Sequence, residues 1–122
     1  MADILVIEDS PTDAHAYARM LRGDGHTVHV ATSGEDGIAL AESLHPDLIL
    51  MDIVMPGVNG FEATRTLRRA RGTAAIPVIM LSTKNQETDR IWGLRQGAID
   101  YLVKPVARAV LLRSVDAALA GA

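Results

Sequence analysis

Leu48-Ile49-Leu50-Met51 sets four apolar residues in a row between two aspartates, Asp47 and Asp52. A run this short and this apolar reads as a strand buried on both faces, the environment of a central strand in a parallel sheet. Such a strand delivers its last residue to the crevice beyond the carboxyl edge of the sheet, where α/β proteins bind ligands. Asp52 is therefore a carboxylate held at the mouth of a site by a rigid element. Whatever chemistry the chain performs depends on what else reaches that mouth.

Four further strands and five helices follow from the same reading. Ile4-Leu5-Val6-Ile7 is a second buried strand and ends in Glu8-Asp9. Ser10-Pro11-Thr12-Asp13 opens a helix, with a capping serine, proline at the first helical position and an acid three residues after the cap. Ala14, Tyr17, Ala18 and Leu21 form its apolar stripe, and Gly23 and Gly25 stop it. His26 to Ala31 is an edge-type strand with Val28 and Val30 on one face and His29 on the other. Ser33 caps a second helix carrying Ile38, Ala41 and Leu44, closed by Pro46. Asn59-Gly60 starts a third, with Phe61, Leu67 and Ala70. Residues 76–81 form another buried strand leading into Ser82-Thr83, and a helix from about Gln86 to Gln96 places Ile91 and Leu94 inward. Residues 99–103 form the last strand, ending in Lys104-Pro105. Val110, Leu111, Leu112, Val115 and Leu119 mark the final helix.

Five strand–helix alternations with right-handed crossovers require a parallel sheet covered on both faces. The expected fold is α/β and flavodoxin-like, a doubly wound (βα)5 sheet in strand order 2-1-3-4-5. A chain of 122 residues suits one core, so residues 1–122 are expected to form a single domain with no effector domain. In that order the first and third strands are neighbours. Glu8 and Asp9 then end one strand, Asp52 ends the next, and Ser82 and Lys104 end the two beyond.

Composition narrows the function. The formal net charge of -3 gives no support to a nucleic-acid or anionic-membrane partner. The cations Arg68, Arg69 and Arg71 read as a solvated helix end that complements the helix dipole. There is no cysteine, which excludes disulfides, thiol catalysis and thiolate metal sites. No apolar run approaches the roughly 20 residues of a membrane span, and the first residues enter a strand without a basic leader. A cytoplasmic protein is expected. His15, His26, His29 and His45 show no metal-ligand spacing.

Three carboxylates brought together repel one another, so unless protonated they need a cation. Oxygen donors in a small open site suit Mg²⁺, which keeps several waters and takes phosphate oxygens. The backbone carbonyl of Val54, just past Asp52, offers a further ligand. Lys104 brings a mobile ammonium suited to phosphate, and Ser82 a hydroxyl donor. Together they can neutralise three phosphoryl oxygens while a carboxylate attacks in line. The chemistry this set suits is formation of an aspartyl phosphate on Asp52.

Glu8-Asp9, Asp52 with Met55-Pro56 and Gly60, Ser82-Thr83 and Lys104-Pro105 resemble the receiver domain of bacterial two-component response regulators, CheY-like proteins, over essentially the whole chain. The resemblance implies that Asp52 accepts a phosphoryl group from a histidine kinase, here a CheA-like one. It implies direct Mg²⁺ ligation by Asp9 and Asp52, with Glu8 acting through water where many members carry aspartate. Lys104 would pair with the phosphoryl group and Ser82 would hydrogen-bond it on activation. Tyr101 would be the switch aromatic, and the Lys104–Pro105 bond would be cis. The fourth helix, last strand and last helix, residues 86–119, would form the output face for a partner the sequence does not name, with Trp92 at the edge of the buried stripe.

Residues 83–89, Trp92-Gly93 and 95–98, with 51–57 and 59–61, are similar, more narrowly, to stand-alone regulators of type IV pilus twitching systems. The implied output is phosphorylation-dependent binding, or draining of phosphoryl groups from a shared kinase, without enzymatic turnover of an outside substrate. Two other readings compete. A magnesium phosphohydrolase commonly carries a second acid two residues after its nucleophile, a position held here by Val54. A receiver used only as a scaffold would not need its acids.

Overall fold

A computed structural model describes residues 1–121. The elements alternate throughout: β1 (Asp3–Ile7), α1 (Pro11–Gly23), β2 (Thr27–Ala31), α2 (Gly34–Leu44), β3 (Leu48–Asp52), α3 (Gly60–Arg69), β4 (Val78–Ser82), α4 (Glu87–Gln96), β5 (Asp100–Val103) and α5 (Arg108–Ala120). All pairings are parallel, and the sheet order is β2-β1-β3-β4-β5. The fold is the flavodoxin-like one that the alternation implied.

Period-2 geometry divides each central strand between two cores. Leu5, Ile7, Ile49, Met51, Val78 and Met80 face α2 and α3, meeting Ala41, Ala63 and Leu67. Ile4, Val6, Leu48, Leu50, Ile79 and Leu81 face α1 and α5, meeting Tyr17, Leu21, Leu111 and Val115. Both faces are dry, which is why β1, β3 and β4 read as unbroken apolar runs rather than alternating ones. Each fully buried leucine or isoleucine side chain contributes about 2 kcal/mol, and it is this packing that holds the strand ends rigid. Among the described residues no helix is long and apolar enough to cross a membrane.

Register carries the fold to the site. Ile7 pairs with Met51, Asp52 with Leu81 and Ser82 with Val103, so the strands finish nearly level. The loop after β3 is drawn in tightly, with the Gly60 amide donating to the Ile53 carbonyl at 2.9 Å. A Cβ at Gly60 would lie 2.3 Å from the Asp52 carbonyl oxygen and 2.7 Å from Ile53 Cα, so only glycine lets α3 start this close to the end of β3. Asn59 caps that helix in a reciprocal box with Glu62.

The helix faces depart from the apolar pattern in places. Ile91 is 41% exposed and Trp92 45%, and Leu94 is only half-buried. The single buried residue of α4 is Gly93. A Cβ there would stand 2.7 Å from Met80 Sδ and 3.0 Å from the Tyr101 ring, so the helix rests on its glycine and turns Ile91 and Trp92 to solvent. Leu44 and Val110 also face solvent at their helix ends, and Val30 is exposed on the outer strand β2 although it shares a face with Val28. Arg68, Arg69 and Arg71 are exposed around the end of α3, as expected.

Candidate functional site

The carboxyl edge of β1 and β3 gathers the acids. Glu8, Asp9 and Asp52 each offer a carboxylate oxygen within 4.8 Å of the others. Glu8 and Asp52 are buried and Asp9 is half-buried. Lys104 follows β5, where its amide donates to the Ser82 carbonyl at 2.9 Å. From there its side chain reaches back across the sheet edge. Nζ donates to Glu8 Oε1 at 2.5 Å, Asp13 Oδ2 at 3.0 Å and Asp52 Oδ1 at 3.1 Å, and stands 5.9 Å from the centre of the Tyr17 ring. The Lys104–Pro105 peptide is cis.

Charge and burial act against each other here. Burial pushes the Glu8 carboxyl up to about 7 from an ordinary 4.5, against the opposing hydrogen bonds from Lys104 and the Ser10 amide. Burial also raises the Asp52 carboxyl, although its hydrogen bond with Glu8 and the Lys104 charge hold it down. Lys104 loses basicity to burial but regains more from Glu8, Asp13 and Asp52, so its ammonium is held well above the usual lysine range.

The Glu8 shift has a consequence for stability. Between its unfolded value of 4.5 and its folded value near 7, the folded metal-free protein binds more protons than the unfolded chain. Stabilisation from neutral Glu8 is therefore complete below that window and is lost as pH rises through it. Without metal, the unfolding free energy at about pH 5 should exceed that at about pH 8 by on the order of 2 kcal/mol. Denaturant titrations at the two pH values measure it, and a metal-free protein more stable at the higher pH would contradict the burial of Glu8 as an acid.

Ser82, Tyr101 and Val54 lie around this cluster rather than in it. Ser82 is fully buried at the end of β4, where its Oγ accepts the Lys84 amide at 3.1 Å. Tyr101 is turned inward, and its hydroxyl donates to the Lys84 carbonyl at 2.8 Å. The two residues thus grip opposite ends of one residue in the β4–α4 loop. Val54 is 57% exposed beside Met55, Asn59, Phe61 and Lys84 on the lip of the site.

Asp13 is the residue that sequence reasoning passed over. Its place three residues after Ser10 suggested the return half of a capping box. The Ser10 hydroxyl does accept the Asp13 amide at 3.3 Å, but the Ser10 amide donates to Glu8 Oε2 at 3.1 Å. That frees the Asp13 carboxylate for Lys104. The available signal was positional, since α1 starts at the end of β1 and its first turn must line the crevice.

A second group that could hold a metal, Asp24, His26 and Asp116, does not survive its hydrogen bonds. His26 Nδ1 accepts the Ala2 amide at 3.2 Å, so the neutral ring carries its proton on Nε2, the nitrogen that faces Asp24 at 3.7 Å. A protonated nitrogen cannot ligate a metal.

A family model for the response regulator receiver domain matches residues 4–116. The chain belongs to that family. This receiver domain is 55% identical to the protein PilH of Pseudomonas aeruginosa, over 99% of this chain and 100% of that one. Other curated relatives, 36–42% identical, are longer, and the chain spans 40–52% of their length. Among solved structures, the receiver domain of a Pseudomonas aeruginosa sensor histidine kinase, described with a magnesium ion coordinated in its active-site cleft, is 34% identical. It superposes with a TM-score of 0.91 over 98% of both chains. A Klebsiella pneumoniae RstA receiver domain, described as BeF3-activated, is 30% identical with a TM-score of 0.87, covering 96% of this chain and 97% of that one.

Proposed function

We propose that this receiver domain is a phosphorylation switch whose acceptor is Asp52, phosphorylated by a CheA-like histidine kinase in the cytoplasm. The observation that carries the reading is the Lys104 ammonium at 3.1 Å from Asp52 Oδ1, beside two further acids at adjoining strand ends. Asp52 sits on a rigid strand with one oxygen held by Lys104. Its carboxylate attacks phosphorus in line, the bond from phosphorus to the donor breaks, and the leaving group departs with the electron pair. Lys104, already at the acceptor oxygen, is within a side-chain rotation of the transferred group.

The three carboxylates form an all-oxygen donor set of a kind that fits Mg²⁺. Asp9 and Asp52 would hold it directly, with the Val54 carbonyl, and Glu8 through water. The two oxygens of Glu8 already serve Lys104 and the Ser10 amide, which favours an indirect role. When bound, Mg²⁺ supplies positive charge that offsets the acids and the phosphoryl oxygens.

Ser82 would turn its hydroxyl to the phosphoryl group, giving up the Lys84 amide, and Tyr101 would respond through the Lys84 carbonyl it holds. The output would pass through the 86–119 face, where Ile91 and Trp92 are exposed, either to a protein partner or as drainage of phosphoryl groups from a shared kinase. Coverage of PilH over its full length supports a stand-alone regulator, and the likeness to twitching regulators supports a pilus or chemotaxis-like pathway. An apolar, exposed Val54 leaves no acid there to protonate a leaving group, which speaks against a phosphohydrolase.

Incubation with a small phosphodonor and Mg²⁺ should add one phosphoryl group by intact mass, and a chelator should prevent it. A protein left unmodified by donor that labels another receiver under the same conditions would end this reading.

A further inference from the structure

An ammonium has three N–H donors, and Lys104 directs all of them at carboxylates: Glu8, Asp13 and Asp52. The ammonium is therefore saturated. If a phosphoryl group on Asp52 is to take a hydrogen bond from it, one existing partner must let go.

The three partners are unequal. Glu8 is 2% exposed, and its other oxygen is fixed by the Ser10 amide. Asp52 is the acceptor itself. The Asp13 side chain is 42% exposed, so water can replace the lysine at small cost. Asp13 also stands in the first turn of α1, where the positive end of the helix dipole stabilises a carboxylate whether or not lysine is bound.

We propose that Asp13 is a positioning residue: it tethers Lys104 in the resting protein and gives up its hydrogen bond when the ammonium moves to a phosphoryl group on Asp52. The proposal rests on the phosphoacceptor reading of Asp52. Asp13 then sets part of the threshold for activation. Its carboxylate competes with the phosphoryl oxygens for one N–H, and resting and activated states differ by that exchange.

The test is the affinity of the Mg²⁺-loaded protein for beryllofluoride, a stand-in for the phosphoryl group, measured by calorimetry. Asp13→Ala should bind it about fivefold more tightly than wild type, the scale of one partly exposed charge-assisted hydrogen bond. Asp13→Asn, whose amide oxygen still accepts from the ammonium, should fall between. The gain should persist at about 1 M salt, where screening acts beyond about 3 Å, because a direct hydrogen bond is being exchanged. In metal-free protein, the Lys104 ammonium protons seen by nitrogen-15 NMR should exchange with water faster in Asp13→Ala. Unchanged or weaker affinity, a gain that disappears in high salt, or equal proton exchange in both proteins would each overturn the tether. If wild type binds no beryllofluoride at all, the phosphoacceptor reading falls first and the tether falls with it.

Discussion

Asp52→Asn is expected to take up no phosphoryl group under conditions that fully label the wild type, and to melt at a higher temperature when metal-free. The first effect is absolute, because a neutral amide is not a nucleophile toward phosphorus and no neighbouring acid can replace it. Glu8 has both oxygens engaged by Lys104 and the Ser10 amide, and the Lys104 ammonium donates to Glu8, Asp13 and Asp52 but not to Asp9. The second effect follows from burial. The Asp52 carboxyl is pushed up by its surroundings, so its charged form weakens the fold near neutral pH. Asparagine keeps an oxygen for Lys104 to donate to and removes the repulsion on Glu8. A gain of about 1 kcal/mol is expected, which for a domain of this size raises the melting temperature by about 4 °C. Intact-mass analysis and scanning calorimetry measure the two effects. Labelling of the variant would place the acceptor elsewhere, and a lower melt would mean that the acids do not repel as their geometry implies.

What could be read in the sequence is what chain connectivity dictates. Short apolar runs ending in Glu8-Asp9, Asp52, Ser82 and Lys104 had to become level strands of one parallel sheet, and strand ends then had to meet. No side-chain detail was needed for that. Asp13 was legible only as a position, in the first turn of α1 at the crevice: its partner is chosen by a flexible four-carbon stem crossing from β5, and nothing local to Ser10-Pro11-Thr12-Asp13 records that choice. The orientation of α4 was hidden differently. Periodicity assumes that large apolar residues face inward, whereas Gly93 allows the helix to approach Met80 and Tyr101 so closely that the smallest residue takes the buried position. Ile91 and Trp92 are then left outside. The same closeness at Gly60 was legible only as the start of a helix, not as the contact with Asp52 that fixes the loop.

Lys104→Met is expected to destabilise the metal-free protein by about 3 kcal/mol near neutral pH, the scale of stranding a buried charge by removing its partner. Methionine preserves most of the length of the lysine stem and removes only the ammonium, which stands 5.9 Å from the centre of the Tyr17 ring, so the loss reports charge rather than packing. Three carboxylates lose their shared donor at once. Asp13 recovers water, because it is partly exposed, but Glu8 and Asp52 are buried and must either repel or bind a proton. Glu8 is poised to take that proton. The variant's deficit should therefore shrink toward about pH 5, where neutral Glu8 no longer needs the lysine. Saturating Mg²⁺ should also reduce it, since a divalent cation at the same acids compensates for the missing ammonium. Urea titrations at two pH values, each with and without Mg²⁺, separate these contributions. A Lys104→Met protein as stable as wild type in the absence of metal would mean that the ammonium does not hold the acids together, and both the acceptor reading of Asp52 and the tether at Asp13 would lose their physical basis.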